Sequence, residues 1–332
     1  MKLPAKLTCS ILALFGIMFA LSAQNQAEVE PSKPNIVVFL ADDFGYASSN
    51  CYGAPNDMLR TPHMNQLAQE GMRFTDAHSP SAVCSPTRYG LLTGRYSWRT
   101  RLQRGVLQTG KDPLIAQNTL TVQKLLKQHG YRTACIGKWH LGIHYHMPEG
   151  EKIVTPKGKK SAAPIGARVI GGPVNLDFDV FYGFHHAGEM RTWIEQDLVT
   201  DNLESSEQML PRIAEASVRF IREQGSRNDQ PFFLYVPFNA PHGPIVPTDV
   251  WKGKSGINAF ADYVMQTDDV VVEILNALDE TELADNTLLF FTTDNGTSPI
   301  ANFAELRAAG HDPVGGLRGS KADIWEGGHR VP

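Results

Sequence analysis

Asn35-Ile36-Val37-Val38-Phe39-Leu40-Ala41-Asp42-Asp43 is an unbroken apolar run that ends in two acids. A strand wet on one face alternates apolar and polar residues. This run does not, so it predicts a strand buried on both faces, as in a parallel sheet between helices. The pattern returns downstream. Arg132–Ile136 leads to Lys138 and His140, Phe232–Val236 leads to His242, and Thr287–Thr292 leads, after Thr293, to Asp294-Asn295-Gly296. Helical stretches stand between, at Thr61-Pro62 to Gly71, Thr121–His129, Pro211–Gln224 and Ala259–Asp279. The first has Pro in its opening turn and Gly past its end. The alternation predicts an α/β fold, with a large, mostly parallel or mixed central sheet flanked by helices on both faces.

In open α/β sheets, ligands collect beyond the carboxyl ends of the strands, so the four polar clusters are expected to converge on one rim. Asp42, Asp43, Asp294 and Asn295 are all hard oxygen donors. They suit Ca²⁺ or Mg²⁺ and not zinc, and a cation would relieve the crowding of three carboxylates. A rival zinc site at His140, His144 and His146 rests on spacing alone. Asn295-Gly296-Thr297 matches a glycosylation sequon, but a metal-binding Asn295 must be buried, so the match is read as accidental.

The first 23 residues are set apart. Lys2 and Lys6 precede the apolar run Ile11–Leu21, and Ala23 offers a small residue for cleavage. This reads as a secretory signal, too short for a stable membrane span, which makes the protein exported, periplasmic or secreted. Residues 24–33 are a short linker, and 34–332 one domain. Losing Lys2 and Lys6 takes the net charge from −4 to −6, which gives no general reason to bind nucleic acid. Cys9 leaves with the signal, and Cys51, Cys84 and Cys135 are too few and scattered for a disulfide scaffold. Residues 147–175, with Lys152, Lys157, Lys159, Lys160 and Arg168 among Gly, Pro and Ala, read as a surface insertion or a loop that touches an anionic polymer.

Cys84-Ser85-Pro86-Thr87-Arg88-Tyr89-Gly90-Leu91-Leu92-Thr93-Gly94-Arg95 carries the most information. Pro86 favours the first turn of a short helix, placing Cys84 at its amino end, where free N–H groups hold an anion or stabilise a thiolate. Arg88, one turn on, can reach back. Taken alone, a Cys before a helix is more often a structural thiol than a catalytic one.

This stretch resembles the signature of the type I sulfatases, members of the alkaline-phosphatase-like superfamily that include arylsulfatase A. Their Cys-x-Pro-x-Arg, followed by Leu-Thr-Gly-Arg, is read by a maturase that oxidises the cysteine to formylglycine before folding. The resemblance extends from about Pro34 to the end of the chain. Asn35–Gly45 is similar to the family's first strand with its Asp-Asp pair, and Gly137-Lys138-Trp139-His140-Leu141-Gly142 to its Gly-Lys-Trp-His-x-Gly segment. Pro241-His242, Asp294-Asn295-Gly296 and Lys321 fill further family positions.

The resemblance implies a sulfuric ester hydrolase with one Ca²⁺ on Asp42, Asp43, Asp294 and Asn295 and formylglycine at position 84. Arg88 and Lys138 would hold the modified residue, and Lys138, Lys321 and His242 the sulfate. His242 would protonate the leaving alcohol, and His140 would take the proton that lets sulfate depart. The implied substrate is a sulfated carbohydrate or small sulfate ester, with a hexosamine 6-sulfate as the first guess. The aromatic and basic stretch Tyr182–Trp193, with His185, His186, Arg191 and Trp193, is a candidate sugar subsite.

Two other functions fit the fold class, a phosphonate or phosphate ester hydrolase of the same superfamily and a non-catalytic binder of sulfated glycans. Asp43-Phe44-Gly45 without a glycine-rich nucleotide loop does not make a kinase. Type I sulfatases generally run on into further strands and a small C-terminal subdomain, so a fragment with an uncovered sheet edge is expected here.

Overall fold

A computed structural model describes residues 33–332 apart from 109, 154–160 and 228–229. The expected signal, the linker up to residue 32, and Lys157, Lys159 and Lys160 of the insertion lie outside the described residues.

The strands are β1 (Asn35–Asp42), β2 (Ala77–His78), β3 (Arg132–Lys138), β4 (His144–His146), β5 (Arg168–Ile170), β6 (Val180–Phe184), β7 (Thr192–Glu195), β8 (Leu198–Asn202), β9 (Phe232–Pro241), β10 (Thr287–Thr293) and β11 (Arg330–Val331). Nine of them form one sheet in the order β10-β1-β9-β3-β6-β7-β8-β5-β4, and β2 pairs with β11. The sheet is parallel from β10 through β6 and antiparallel beyond. It is therefore mixed, one of the two arrangements expected from the sequence.

The main helices are α1 (Pro62–Glu70), α2 (Cys84–Thr93), α3 (Val122–Gln128), α4 (Met209–Gly225) and α5 (Ala259–Glu280). Both faces of the parallel half are covered, and side chains sort between them by strand parity. Val37, Phe39 and Ala41 of β1 join Leu234 and Val236 of β9 in a core with α1, α4 and α5. Leu40 of β1 and Phe233 and Tyr235 of β9 face Tyr89 and Leu92 of α2, with Leu126 of α3 packed against them. The edge strand β10 is less covered, with Leu288 49% and Phe290 43% exposed.

Two strands outrun their apolar segments. β3 continues to Lys138 and β9 to Pro241, because backbone pairing with β6 and β1 holds them extended where the side chains turn polar. Asn239 is buried there and donates to the Tyr263 hydroxyl at 2.6 Å. Gly137 shows why the exit of β3 needs glycine. Its φ is 139°, and a Cβ would lie 2.0 Å from the Pro237 carbonyl oxygen of β9.

Candidate active site

The carboxyl ends of β1, β3, β9 and β10 deliver their polar residues to one rim. Asp42 is the last residue of β1, and in a regular strand Asp43 would point to the opposite face. Asp43 instead adopts a left-handed φ of 63°, which lets consecutive carboxylates serve one site. Its backbone N–H donates to Asp294 Oδ1 at 3.1 Å, tying the end of β1 to that of β10.

Helix α2 begins at Cys84, as the position of Pro86 suggested. Cys84 is buried, its Sγ 3.5 Å from Asp42 Oδ1 and 3.6 Å from Lys321 Nζ. Arg88, one turn on, is fully buried and places its guanidinium 3.0 Å from Asp294 Oδ2 and 3.5 Å from Asp42 Oδ2. It also donates to the Lys138 carbonyl at 2.9 Å. Lys138 Nζ donates to Asp42, and Lys321 Nζ lies 2.6 Å from Asp43 Oδ1. His242 Nε2 lies 3.7 Å from Asp43 Oδ2.

Lys321 comes from a distant loop that docks by close backbone approach. Gly296 donates to the Gly328 carbonyl at 2.9 Å, and a Cβ at Gly296 would sit 1.8 Å from the Gly327 oxygen. Lys321 N–H donates to Thr297 O at 3.1 Å.

Three carboxylates thus meet three fixed cations, all buried except Lys321, which is partly exposed. Burial alone would raise Asp42, but Lys138, His242, Arg88 and Lys321 together hold it well below the usual carboxylate range. Asp294 is less relieved. Burial and the Asp42 charge push it up to about 7, against Arg88. Burial also pushes the Cys84 thiol well above its ordinary value, despite Lys138 and Lys321, so the unmodified residue is a protonated thiol.

The donor set fits a hard divalent cation. Asn295 is buried, its Nδ2 donates to Asp43 Oδ1 at 2.7 Å, and its Oδ1 has no partner. A buried carbonyl oxygen left unpaired beside three carboxylates is what an oxygen-seeking ion would satisfy. Asp42, Asp43, Cys84 and His242 also form a group close enough to hold a metal. Without the ion the fixed charges balance. With it, two positive charges are left over, enough to hold an anionic ester.

The remaining expectations divide. His140 lies at the exit of β3, where it touches the Leu107 carbonyl, His185 and His186. His140, His144 and His146 do not come together as a zinc site among the described residues, and His144 instead pairs with Asp112 at 2.6 Å. The stretch Tyr182–Trp193 does not form an open sugar subsite. His185 and Trp193 are buried, and Arg191 Nε donates to Leu203 O at 2.7 Å, because β6 and β7 fold these residues inward as core. Cys51, Cys84 and Cys135 are all free thiols. Asn295 is fully buried, which rules out its sequon in the folded chain. Tyr145, Glu189, Ser85 and Leu107, all close to His140 or its neighbours, were not legible as site residues. The only hint in the sequence was the His185-His186-x-x-Glu189 spacing. No described helix is long and apolar enough to cross a membrane.

The chain is similar to known proteins. N-acetylgalactosamine-6-O-sulfatase of Bacteroides thetaiotaomicron is 32% identical over 348 residues, which takes in 90% of this chain and 66% of that protein. Human arylsulfatase A is 32% identical over 311 residues, covering 90% of this chain and 58% of that one. The chain therefore spans about two thirds or less of the length of these relatives. A solved structure from work on the metabolism of multiple glycosaminoglycans by B. thetaiotaomicron superposes with a TM-score of 0.77 at 28% identity, over 90% of this chain and 71% of that one. The sulfatase family model matches residues 34–332, a span that holds every residue of the rim from Asp42 to Lys321, and the chain belongs to the sulfatase family.

Proposed function

We propose that this protein hydrolyses sulfate esters of a carbohydrate after Cys84 has been converted to formylglycine. The observation that carries the reading is Cys84 at the head of a buried helix, between the carboxylate of Asp42 at 3.5 Å and the ammonium of Lys321 at 3.6 Å. Cys84 is 1% exposed, so a maturase must reach it before the fold closes. Ca²⁺ is the proposed ion, held by Asp42, Asp43, Asp294 and Asn295, and its chemistry there is that of a Lewis acid on a sulfate oxygen.

The chain's own residues do the rest. Arg88 spans Asp42, Asp294 and the Lys138 carbonyl, so it fixes the α2 end of the site. Lys138 and Lys321 stand on either side of the carboxylates and supply positive charge to the sulfate. His242, partly exposed at the mouth, is placed to give a proton to the leaving oxygen. His140 Nε2 lies 2.9 Å from the Leu107 carbonyl, which only accepts, so Nε2 carries the proton and Nδ1 is the basic atom. Cys84, Arg88, Lys138, His140, His242 and Lys321 are all present, which favours catalysis over a purely binding role.

Export through a cleaved leader would bring the protein to extracytoplasmic sulfated glycans, and a 6-sulfated hexosamine is the first substrate to try. The test is co-expression with a formylglycine-generating maturase, peptide mass at Cys84, and sulfate release from 4-nitrophenyl sulfate and 6-sulfated hexosamines. Conversion with turnover that disappears in Cys84→Ala supports the reading. Faster turnover of a phosphonate monoester than of any sulfate would overturn it.

A further inference from the structure

A second buried polar cluster lies behind His140. Trp139 N–H donates to Phe184 O at 3.0 Å and His140 N–H to His185 O at 2.8 Å, so the exit of β3 is laced to that of β6. This sets the His140 ring perpendicular to His185, with centroids 6.1 Å apart, and nearly parallel to His186 at 5.6 Å. All three rings are buried. His140 has a left-handed φ of 56°, a conformation that the packing around it must hold. The Leu107 carbonyl that takes the Nε2 proton is anchored in turn, since Leu107 N–H donates to Ser85 Oγ at 3.1 Å.

Glu189, fully buried, is the anion of this cluster. Tyr145 donates its hydroxyl to Glu189 Oε2 at 2.6 Å. His186 Nε2 lies 3.4 Å and His185 Nδ1 3.8 Å from Oε1. The trio His185, His186 and Glu189 is compact enough to suggest a metal. One bond argues against it. Gly188 N–H donates to His186 Nδ1 at 2.9 Å, which puts the ring proton on Nε2, the atom that would have to ligate. The cluster is better described as a carboxylate gathering donors.

We propose that Glu189 is the positioning residue of the base His140: its carboxylate, 3.4 Å from His186 Nε2 and 3.8 Å from His185 Nδ1, fixes the two imidazoles that flank the His140 ring and stands behind them as the anion of the cluster. The inference rests on the sulfatase reading only for the role of His140 as base. Burial and then Lys138, His185, Arg88 and His186 all disfavour a proton on His140, and Glu189 lies against the two imidazoles among those neighbours.

The experiment is Glu189→Gln in the matured protein, read by the pH profile of kcat on 4-nitrophenyl sulfate and by histidine ring-nitrogen NMR. Removing the carboxylate makes His140 a weaker base. The acid limb of kcat is expected to move down by about half a pH unit, kcat to fall about tenfold, and KM to stay within about twofold. NMR should show His140 taking its proton at lower pH. Tyr145→Phe, a milder change that keeps the fold, removes a donor from the carboxylate and should move the limb the other way. An unmoved limb and an unmoved His140 titration in both variants would overturn the proposal. Shifted NMR titration in a protein that turns over no sulfate ester would keep the positioning role and sink the sulfatase reading. Turnover with an unmoved titration would do the reverse.

Discussion

The acid cluster at the ends of β1 and β10 and the imidazole cluster behind β3 and β6 lie on one rim, both out of water, and they meet the cost of burial differently. Asp42 and Asp294 are matched by Arg88 at 3.5 and 3.0 Å, Asp43 by Lys321 at 2.6 Å, and Lys138 also donates to Asp42, all of them full charges. Glu189 is matched by a phenol at 2.6 Å and two imidazoles at 3.4 and 3.8 Å. The first arrangement holds charge ready for a charged ligand. The second holds one anion among groups that can gain or lose protons, which suits the handling of a proton.

That contrast predicts graded failures. The largest is Cys84→Ala, expected to lower kcat/KM at least about 10³-fold while the urea midpoint stays near that of the parent, since the residue is small and its role chemical. A stability loss as large as the activity loss would put Cys84 in the fold rather than the reaction. Next comes Arg88→Met, which leaves Asp42 and Asp294 short of a buried cation. Equilibrium urea unfolding should show a loss of about 3–5 kcal/mol. Glu189→Gln keeps the donors partly satisfied and should cost less, about 1–3 kcal/mol. Equal costs would erase the distinction between the two clusters.

Asp268 of α5 sharpens the comparison, because it is a buried carboxylate whose hydrogen bonds come from backbone N–H groups. It accepts from His63 N–H at 3.1 Å and Met64 N–H at 2.8 Å, at the start of α1. Burial outweighs these bonds and holds its carboxyl up at about 6, above its ordinary value of 3.8. Between those two pH values the folded chain keeps a proton that the unfolded chain has lost, so stability falls as pH rises through that window. Asp268→Asn should flatten this fall by up to about 3 kcal/mol, measured as unfolding free energy at pH 4 and pH 7. An unchanged slope would mean that Asp268 is ionised throughout.

The last effect concerns the ion. Calcium at a hundredfold excess over its Kd should stabilise the protein by about 2.7 kcal/mol, and Asp294→Ala should abolish the gain in melting temperature. A gain from zinc and none from calcium would transfer the metal to the imidazole cluster and break the assignment of both.

Much of this was readable in the order of residues. Buried parallel strands need continuous apolar runs, so β1, the start of β9 and β10 announced themselves, and with them the rim at their carboxyl ends. Oxygen donors at two of those ends named the cation class. The Cys84–Arg88 spacing put thiol and guanidinium one turn apart on a helix, which is local geometry. Tyr182–Trp193 looked like a surface subsite because aromatic and basic residues do occur there, but pairing of β6 with β7 turned it inward.

What needed the folded chain is contact between parts far apart in sequence. Asn295 had to fold against Asp43 before its unpaired Oδ1 could be seen, and Lys321 had to dock beside Cys84 through a glycine contact in which neither residue takes part. Glu189 looks like any other acid until burial, the Tyr145 hydroxyl and two adjoining imidazoles single it out. The tautomer of His140 depends on a backbone carbonyl at Leu107, 33 residues away, and every residue has a carbonyl. Side-chain chemistry and short spacings are properties of the chain itself. Burial, pairing and proton position are set by neighbours, and tertiary packing chooses those.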